Sequence, residues 1–370
     1  MKRHCNLAFF IPHMGCPNMC SFCDQKAISG ETKPPAPEEI AEQCRESLAG
    51  GIDGKNSEIA FFGGSFTAIP QEHMLSYLEA VQPFLGENGF SGVRISTRPD
   101  AVPDEILHIL KEYGVTAIEL GAQSMSDGVL ALNRRGHSAQ DVREASERIK
   151  SHGFSLGLQM MYGLYGSTAA DEEYTLSECI ILKPDTMRIY PTVVLDGTHL
   201  GELYKRGRYI LPSWDDMLKF TSRAICRLRE ENISLIRLGL HAEKELESRI
   251  LAGFYHPALR ELAEERLYMS AMKQWAERRK DILSKNAGKG AYVLAEVQTG
   301  RAGIAAGHGK ANRKSFAEHT YGTRMRITEN KELSDGIIRL SFCTADEAGA
   351  LRSIGEEVYD VFKITGTSGL

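Results

Sequence analysis

Strand-like and helix-like segments alternate through the first two thirds of this chain, and that alternation restricts its fold more than any other feature. Short apolar runs fit strands at Leu7–Ile11, Glu58–Phe62, Gly92–Thr97, Val115–Gly121, Phe154–Met160 and Asp185–Tyr190. Between them apolar residues recur at helical spacing: in Pro37–Leu48, Ile40, Cys44 and Leu48 share one face, and Pro37 suits a first turn. Successive β/α units require a parallel sheet, and right-handed crossovers curl it. The predicted class is α/β, a partial (β/α)6 TIM-like barrel with its chemistry at the carboxyl ends of the strands. A chain of 370 residues has room for a second module. Composition shifts at the Gly- and Lys-rich stretch Asn286–Gly290, which predicts a barrel over 1–285 and a small α/β module over 286–370.

Three of the eight cysteines, Cys16, Cys20 and Cys23, sit in one short run after the first strand with the spacing C-x3-C-x2-C, and Phe22 precedes the last. Three thiolates can hold three corners of a cubane [4Fe-4S] cluster, because soft sulfur suits iron and a short loop brings the ligands round one face. The fourth iron then lacks a protein ligand, as a catalytic metal site keeps one position free. A structural zinc knuckle missing its fourth ligand, for which His13 sits on the wrong side of the loop, and a redox disulfide are the other readings of these residues. The remaining cysteines fall in helical patterns (Cys44, Cys179, Cys226) or strand-like runs (Cys5, Cys343) and are expected to be buried structural thiols.

Further motifs fall at strand ends. Gly63-Gly64-Ser65 follows the second strand, where paired glycines let backbone approach a ligand. Ser96-Thr97-Arg98-Pro99-Asp100 ends the third, Gly121-Ala122-Gln123-Ser124 the fourth, and Gln159, Arg188 and Tyr190 close the fifth and sixth. Gln123 can read ribose hydroxyls or a carboxylate, and an arginine at a strand end can pair with an anion. Asn133-Arg134-Arg135-Gly136-His137 gathers cations at a predicted helix end, where a solvated cap is an equal reading.

The cysteine spacing resembles the hallmark of the radical S-adenosylmethionine (SAM) superfamily. The resemblance implies a [4Fe-4S] cluster on Cys16, Cys20 and Cys23, SAM chelated at the open iron, and reductive cleavage of SAM to a 5′-deoxyadenosyl radical that abstracts hydrogen from a substrate. It implies SAM contacts at Phe22, Gly63, Gly64 and Ser65, with Gln123, Gln159, Arg188 and Tyr190 as further pocket candidates, and an electron donor of flavodoxin or ferredoxin type. Gly-Gly-Ser-Phe-Thr, Ser-Thr-Arg-Pro-Asp, Gly-Ala-Gln-Ser, Asn-Arg-Arg-Gly-His and Arg-Ile-Tyr-Pro-Thr-Val-Val, in that order over residues 7 to 260, resemble the radical SAM domain of the catalytic subunit of Elongator, the tRNA acetyltransferase. A broader kinship to oxygen-independent coproporphyrinogen III oxidase and its heme-chaperone relatives shows in Met160–Gly163 and Gly121–Ser124. Against the Elongator pattern the cysteine loop is short and no acetyltransferase domain is expected, so acetyl transfer does not carry over.

The expected substrate is tRNA or another structured RNA. A net charge of −5 argues against a protein that coats nucleic acid generally. Yet Arg301, Lys310, Arg313, Lys314, Arg324 and Arg326 concentrate positive charge in the tail, where Gly307-His308-Gly309-Lys310 resembles the GxxG loop of a KH-type RNA-binding fold, with lysine at the fourth position. A small-molecule, tetrapyrrole-type substrate and a non-catalytic heme or metal carrier are the alternatives. The apolar run after Lys2 and Arg3 is too short for a signal peptide, and a cytoplasmic protein without membrane partners is expected.

Overall fold

The structure, a computed structural model, describes residues 5–12, 14–16, 19–24, 28, 33–287, 290–345 and 351–363. Among these residues the strands are β1 Cys5–Ile11, β2 Ser57–Gly63, β3 Val93–Thr97, β4 Val115–Gln123, β5 Ser155–Tyr162, β6 Thr186–Pro191, β7 Val193–Leu195, β8 Ser234–Leu238, β9 Ile250–Gly253, β10 Tyr292–Val297, β11 Arg324–Glu329, β12 Ile337–Ala345 and β13 Leu351–Asp360. Packing divides the chain into residues 1–212 with 231–257, and residues 213–230 with 258–370. This division differs from a cut at 285: the helices Trp214–Glu230 and Leu259–Arg278 group with the tail.

The first unit is built on a seven-stranded sheet in the order β1-β2-β3-β4-β5-β6-β8, every neighbouring pair parallel. This is the expected partial barrel with the seventh strand added. Alternate residues point to opposite faces of a strand. On one face Ile59, Phe61, Ile95, Ile118, Leu120, Leu158, Met160 and Ile189 are at most 1% exposed, and this apolar layer is what the crossover helices cover. The helix Ala139–Ser151 shows why the covering elements form: Ser138 and Asp141 make a reciprocal capping box, and Val142, Ala145 and Ile149 line its buried side. Thr168 and Asp171 cap the helix Ala169–Ile181 in the same way. Beyond β6 the chain forms an antiparallel ribbon of β7 with β9 that the sequence did not announce, since three or four residues carry too little periodicity.

The second unit holds a mixed sheet in the order β11-β10-β12-β13, with β10 parallel to β11 and antiparallel to β12. Its core gathers Tyr268, Trp275, Phe316 and Phe342, each at most 1% exposed. Two short helices, Ala302–Ala306 and Ala311–His319, flank the loop that the GxxG resemblance marks, and Gly307, Gly309 and Lys310 all take positive φ there. Among the described residues no helix is long and apolar enough to cross a membrane. Cys44, Cys179 and Cys343 are buried as expected, Cys226 is half-buried, and Cys5 is exposed, because it opens an edge strand. His13 and part of the expected linker Asn286–Gly290 lie outside the described residues.

Candidate functional site

The three cysteines occupy the loop that leaves the carboxyl end of β1, and backbone contacts from the end of β2 hold its first half. Gly64 N donates to Ile11 O at 2.8 Å and Ser65 N to Met14 O at 3.0 Å. A Cβ added to Gly64 would meet Met14 O at 2.0 Å, and one on Gly15 would meet Ser65 O at 2.3 Å. The glycines are therefore required for two backbones to lie against each other. Ser65 Oγ stands 3.9 Å from Cys16 Sγ.

The second half of the loop is held by the Asn-Arg-Arg-Gly-His motif. Ser21 N donates to Asn133 O at 3.1 Å and Ser21 Oγ to Asn133 Oδ1 at 2.6 Å, while Ser21 O accepts from Leu200 N at 2.7 Å. Asn133, itself fully buried, spends its amide on Val129 O and Tyr165 O. Arg135 donates from Nη1 to Cys20 Sγ at 3.0 Å and from Nη2 to Gly121 O at 2.7 Å. Arg134 turns the other way, to His199 Nε2 at 3.2 Å. Phe22 packs beside Val194, Leu200, Leu203 and Tyr209, and Asp24 pairs with Arg249 at 2.7 Å. The motif that the sequence left between a site role and a solvated cap thus anchors the cysteine loop.

Burial, then the nearby Cys20 and Cys16, push the Cys23 thiol up to about 12, against the opposing pull of Arg135. Three cysteine sulfurs in one loop form a soft donor set that suits a cationic iron–sulfur core, which would stabilise their thiolate forms. Among the described residues no three His, Cys, Asp or Glu side chains converge as they would on a single ion. A cubane takes each sulfur on a different iron and so sets them farther apart than ligands of one ion, and what fits that group here is the three-sulfur donor set in one short loop.

The other face of the sheet is polar. Glu119, 1% exposed, accepts from Arg188 Nε at 2.6 Å and Nη2 at 2.9 Å, from Gln159 Nε2 at 2.8 Å, and from Arg94 Nη1 at 3.4 Å. Gln159 also reaches Ser96 Oγ at 3.2 Å, and Arg94 is shared with Glu58 at 2.7 Å. Arg188 lies 4.8 Å from the centre of the Phe62 ring. Burial alone would lower the Arg188 guanidinium, but Tyr190 and Glu119 more than offset it and hold it above its ordinary value. Burial likewise raises the Tyr190 phenol.

At the end of β4 a register shift between Leu120 and Gln123 bends the strand, and Gln123 takes φ 64°. Its Oε1, the Arg135 Nε and the His137 Nδ1 are buried without hydrogen-bond partners. Burial, reinforced by Arg135, lowers the His137 imidazole to about 4, so the ring is neutral near pH 7. Arg98 is committed to Asp100 by two bonds of 2.8 Å.

Gln159, Arg188 and Tyr190 therefore share one inner face, Gln123 stands at its rim, and Gly63–Ser65 support the cysteine loop. Sequence reading passed over Glu58, Arg94 and Glu119, and took Asn133 only as the start of the cation motif. The first three had a signal: polar residues at period two within otherwise apolar strands.

Comparison with known proteins matches residues 10–179 to the radical SAM superfamily and residues 184–269 to the Radical_SAM C-terminal domain. Human Elongator complex protein 3 is 29% identical over 251 residues, 62% of this chain and 44% of the relative. The tRNA uridine(34) acetyltransferase of Methanocaldococcus infernus is 34% identical over 118 residues, 31% of this chain and 22% of the relative. The chain thus spans less than half the length of these two relatives. The solved Methanocaldococcus infernus Elp3 with an N-terminal deletion shares the fold at 20% identity and a TM-score of 0.55, over 75% of this chain and 64% of that one.

Proposed function

The chain belongs to the radical SAM superfamily, and from that membership we propose that it is an RNA-modifying enzyme that binds a [4Fe-4S] cluster and SAM, with tRNA as the preferred substrate. The observation that carries the reading is the cysteine loop itself, fixed at the carboxyl end of β1 by contacts from β2, from Asn133 and from Arg135. When bound, the cluster and SAM supply a one-electron reduction and a 5′-deoxyadenosyl radical able to abstract hydrogen.

In this reading Cys16, Cys20 and Cys23 hold three irons and leave one open. Gly63, Gly64 and Ser65 form the end of β2 and the turn that holds the loop, and Gly64 lines a small recess with Ile11, Met14, Phe62 and Ser96. Gln123 offers an unpartnered Oε1 to a donor on SAM or substrate. Gln159, Arg188 and Tyr190 form a pre-ordered polar floor suited to a base edge rather than to an apolar ligand. An electron donor of flavodoxin or ferredoxin type completes the requirement.

The tRNA reading draws on the Elongator and tRNA uridine(34) acetyltransferase relatives and on exposed cations in the second unit. Arg301 drops out of that set: it pairs with Glu264 at 2.9 Å and Asp335 at 2.7 Å. Lys310, Arg313, Lys314, Arg324 and Arg326 are exposed. Lys310, at the position where a KH-type loop has glycine, takes φ 64°, so the backbone keeps the glycine-like turn. The His308 amide of that loop already donates to Glu265 at 2.6 Å, which leaves phosphate contact to the side chains.

The test is anaerobic: reconstitute the cluster, add SAM and dithionite, and quantify 5′-deoxyadenosine with and without bulk tRNA, using Cys20→Ala as the blank. Cleavage that rises with tRNA supports the reading. Cleavage indifferent to tRNA transfers the substrate to the small-molecule, tetrapyrrole-type class, and no cleavage from an intact cluster indicates a carrier.

A further inference from the structure

Arg135 is 8% exposed, and its hydrogen bonds go to one sulfur and one carbonyl; among the described residues none goes to a carboxylate. A buried guanidinium without an anion is costly, so something in its surroundings must supply negative charge. The nearby Arg98 also lies within electrostatic reach of Cys20 and Cys16, but its hydrogen bonds go to Asp100. What Arg135 faces is Cys20 Sγ at 3.0 Å.

The local backbone makes this aim deliberate rather than incidental. Arg134 at φ 57° and Gly136 at φ 72° bracket a tight turn that sends consecutive arginines to opposite sides. Asn133 fixes the start of that turn to Ser21, one residue after Cys20. The Nη2 bond to Gly121 O locks the guanidinium plane, so the second donor has little freedom to leave the sulfur.

We infer that Arg135 is a positioning residue that sets the reduction potential of the cluster, by donating a charge-assisted hydrogen bond to the Cys20 sulfur and counterbalancing the thiolates. The inference rests on the proposed role of Cys16, Cys20 and Cys23 as cluster ligands. With three thiolates, the cluster assembly carries one negative charge when oxidised and two after accepting an electron, so a fixed cation favours the reduced form. Hydrogen bonds to the sulfurs and buried charge are among the quantities through which a protein tunes such a potential.

The experiment is a potentiometric titration of the reconstituted full-length chain, followed by EPR in the absence of SAM, for wild type, Arg135→Gln and Arg135→Lys, with iron and sulfide content measured on each sample. Arg135→Gln is expected to lower the reduction equilibrium on the order of tenfold, about 59 mV for a one-electron couple. Arg135→Lys should fall between, because charge is kept and the fork is lost. An unchanged potential in Arg135→Gln with full cluster content overturns the inference. So does an equal shift in Asn133→Ala, which loosens the Ser21 anchor and keeps the guanidinium. If both arginine variants fold by circular dichroism yet hold no cluster, Arg135 is an anchor and the tuning role is lost. A wild-type chain that takes up no cluster instead defeats the ligand assignment beneath the inference, and the iron content separates that failure from the others.

Discussion

Glu119 keeps its carboxylate inside the barrel because Arg188 and Arg94 both reach it. Removing one member of such a group strands the others: Glu119→Leu leaves Arg188 buried without its carboxylate and should cost about 3–5 kcal/mol in urea unfolding. The double variant Glu119→Leu/Arg188→Met should recover much of that loss, and additive losses would show that the two residues are not coupled. Glu172 poses the opposite case. It accepts from Gly163 N at 2.7 Å and Ser167 Oγ at 2.6 Å, and burial raises its carboxyl from 4.5 to about 7. A folded-state value above the unfolded one means the native chain binds the extra proton, so stability falls as pH rises from about 4.5 to about 7 and stays lower above that. Glu172→Gln keeps the acceptor without the charge. Denaturation series across that window should show wild type losing on the order of 3 kcal/mol relative to the variant, and parallel curves would refute the assignment.

At the scale of elements, the described residues of the cysteine loop from Cys16 to Cys23 form no helix or strand, and they are held by β2 and by the turn after the helix Asp127–Leu132. Gly64 is the tightest point. Gly64→Ala places a methyl 2.0 Å from Met14 O, a backbone atom that cannot swing aside as a side chain would. The loop must move, and iron retained after anaerobic reconstitution and desalting should drop at least severalfold, while far-ultraviolet circular dichroism stays that of the folded barrel. Full iron retention would show that the loop tolerates a wider approach. Phe22 illustrates the same dependence from the other side: it sits between Cys20 and Cys23 in sequence, yet its ring joins the apolar cluster of Val194 and Leu200.

For the whole molecule the consequential fact is where the chain divides. The helix Leu259–Arg278 buries Leu267, Tyr268, Met272 and Trp275, and Trp275 Nε1 donates to Gly355 O at 3.4 Å while Arg279 pairs with Glu357 at 2.7 Å. A chain cut after Lys285 keeps this helix and deletes the sheet that belongs to its unit. Each large apolar side chain so exposed forfeits roughly 1.5–3 kcal/mol. The truncated chain should elute as aggregate in size-exclusion chromatography and bind a hydrophobic dye, and a monodisperse, dye-silent 1–285 would contradict the division.

The sequence alone determined the parallel sheet, the position of the cysteine loop at a strand end, and most element boundaries to within a few residues, since periods of two and of 3.6 are properties of neighbouring residues. It marked a glycine loop at Gly307–Lys310 but not that Lys310 itself takes a left-handed conformation, because one such lysine has no signature in the pattern. The tertiary structure decided the partners. Ser21 meets Asn133 across 112 residues, Arg135 meets Cys20 across 115, and Arg188 meets Glu119 across 69. Which side chains meet depends on strand order and register, quantities fixed by the packing of distant segments and written in no single stretch of the chain.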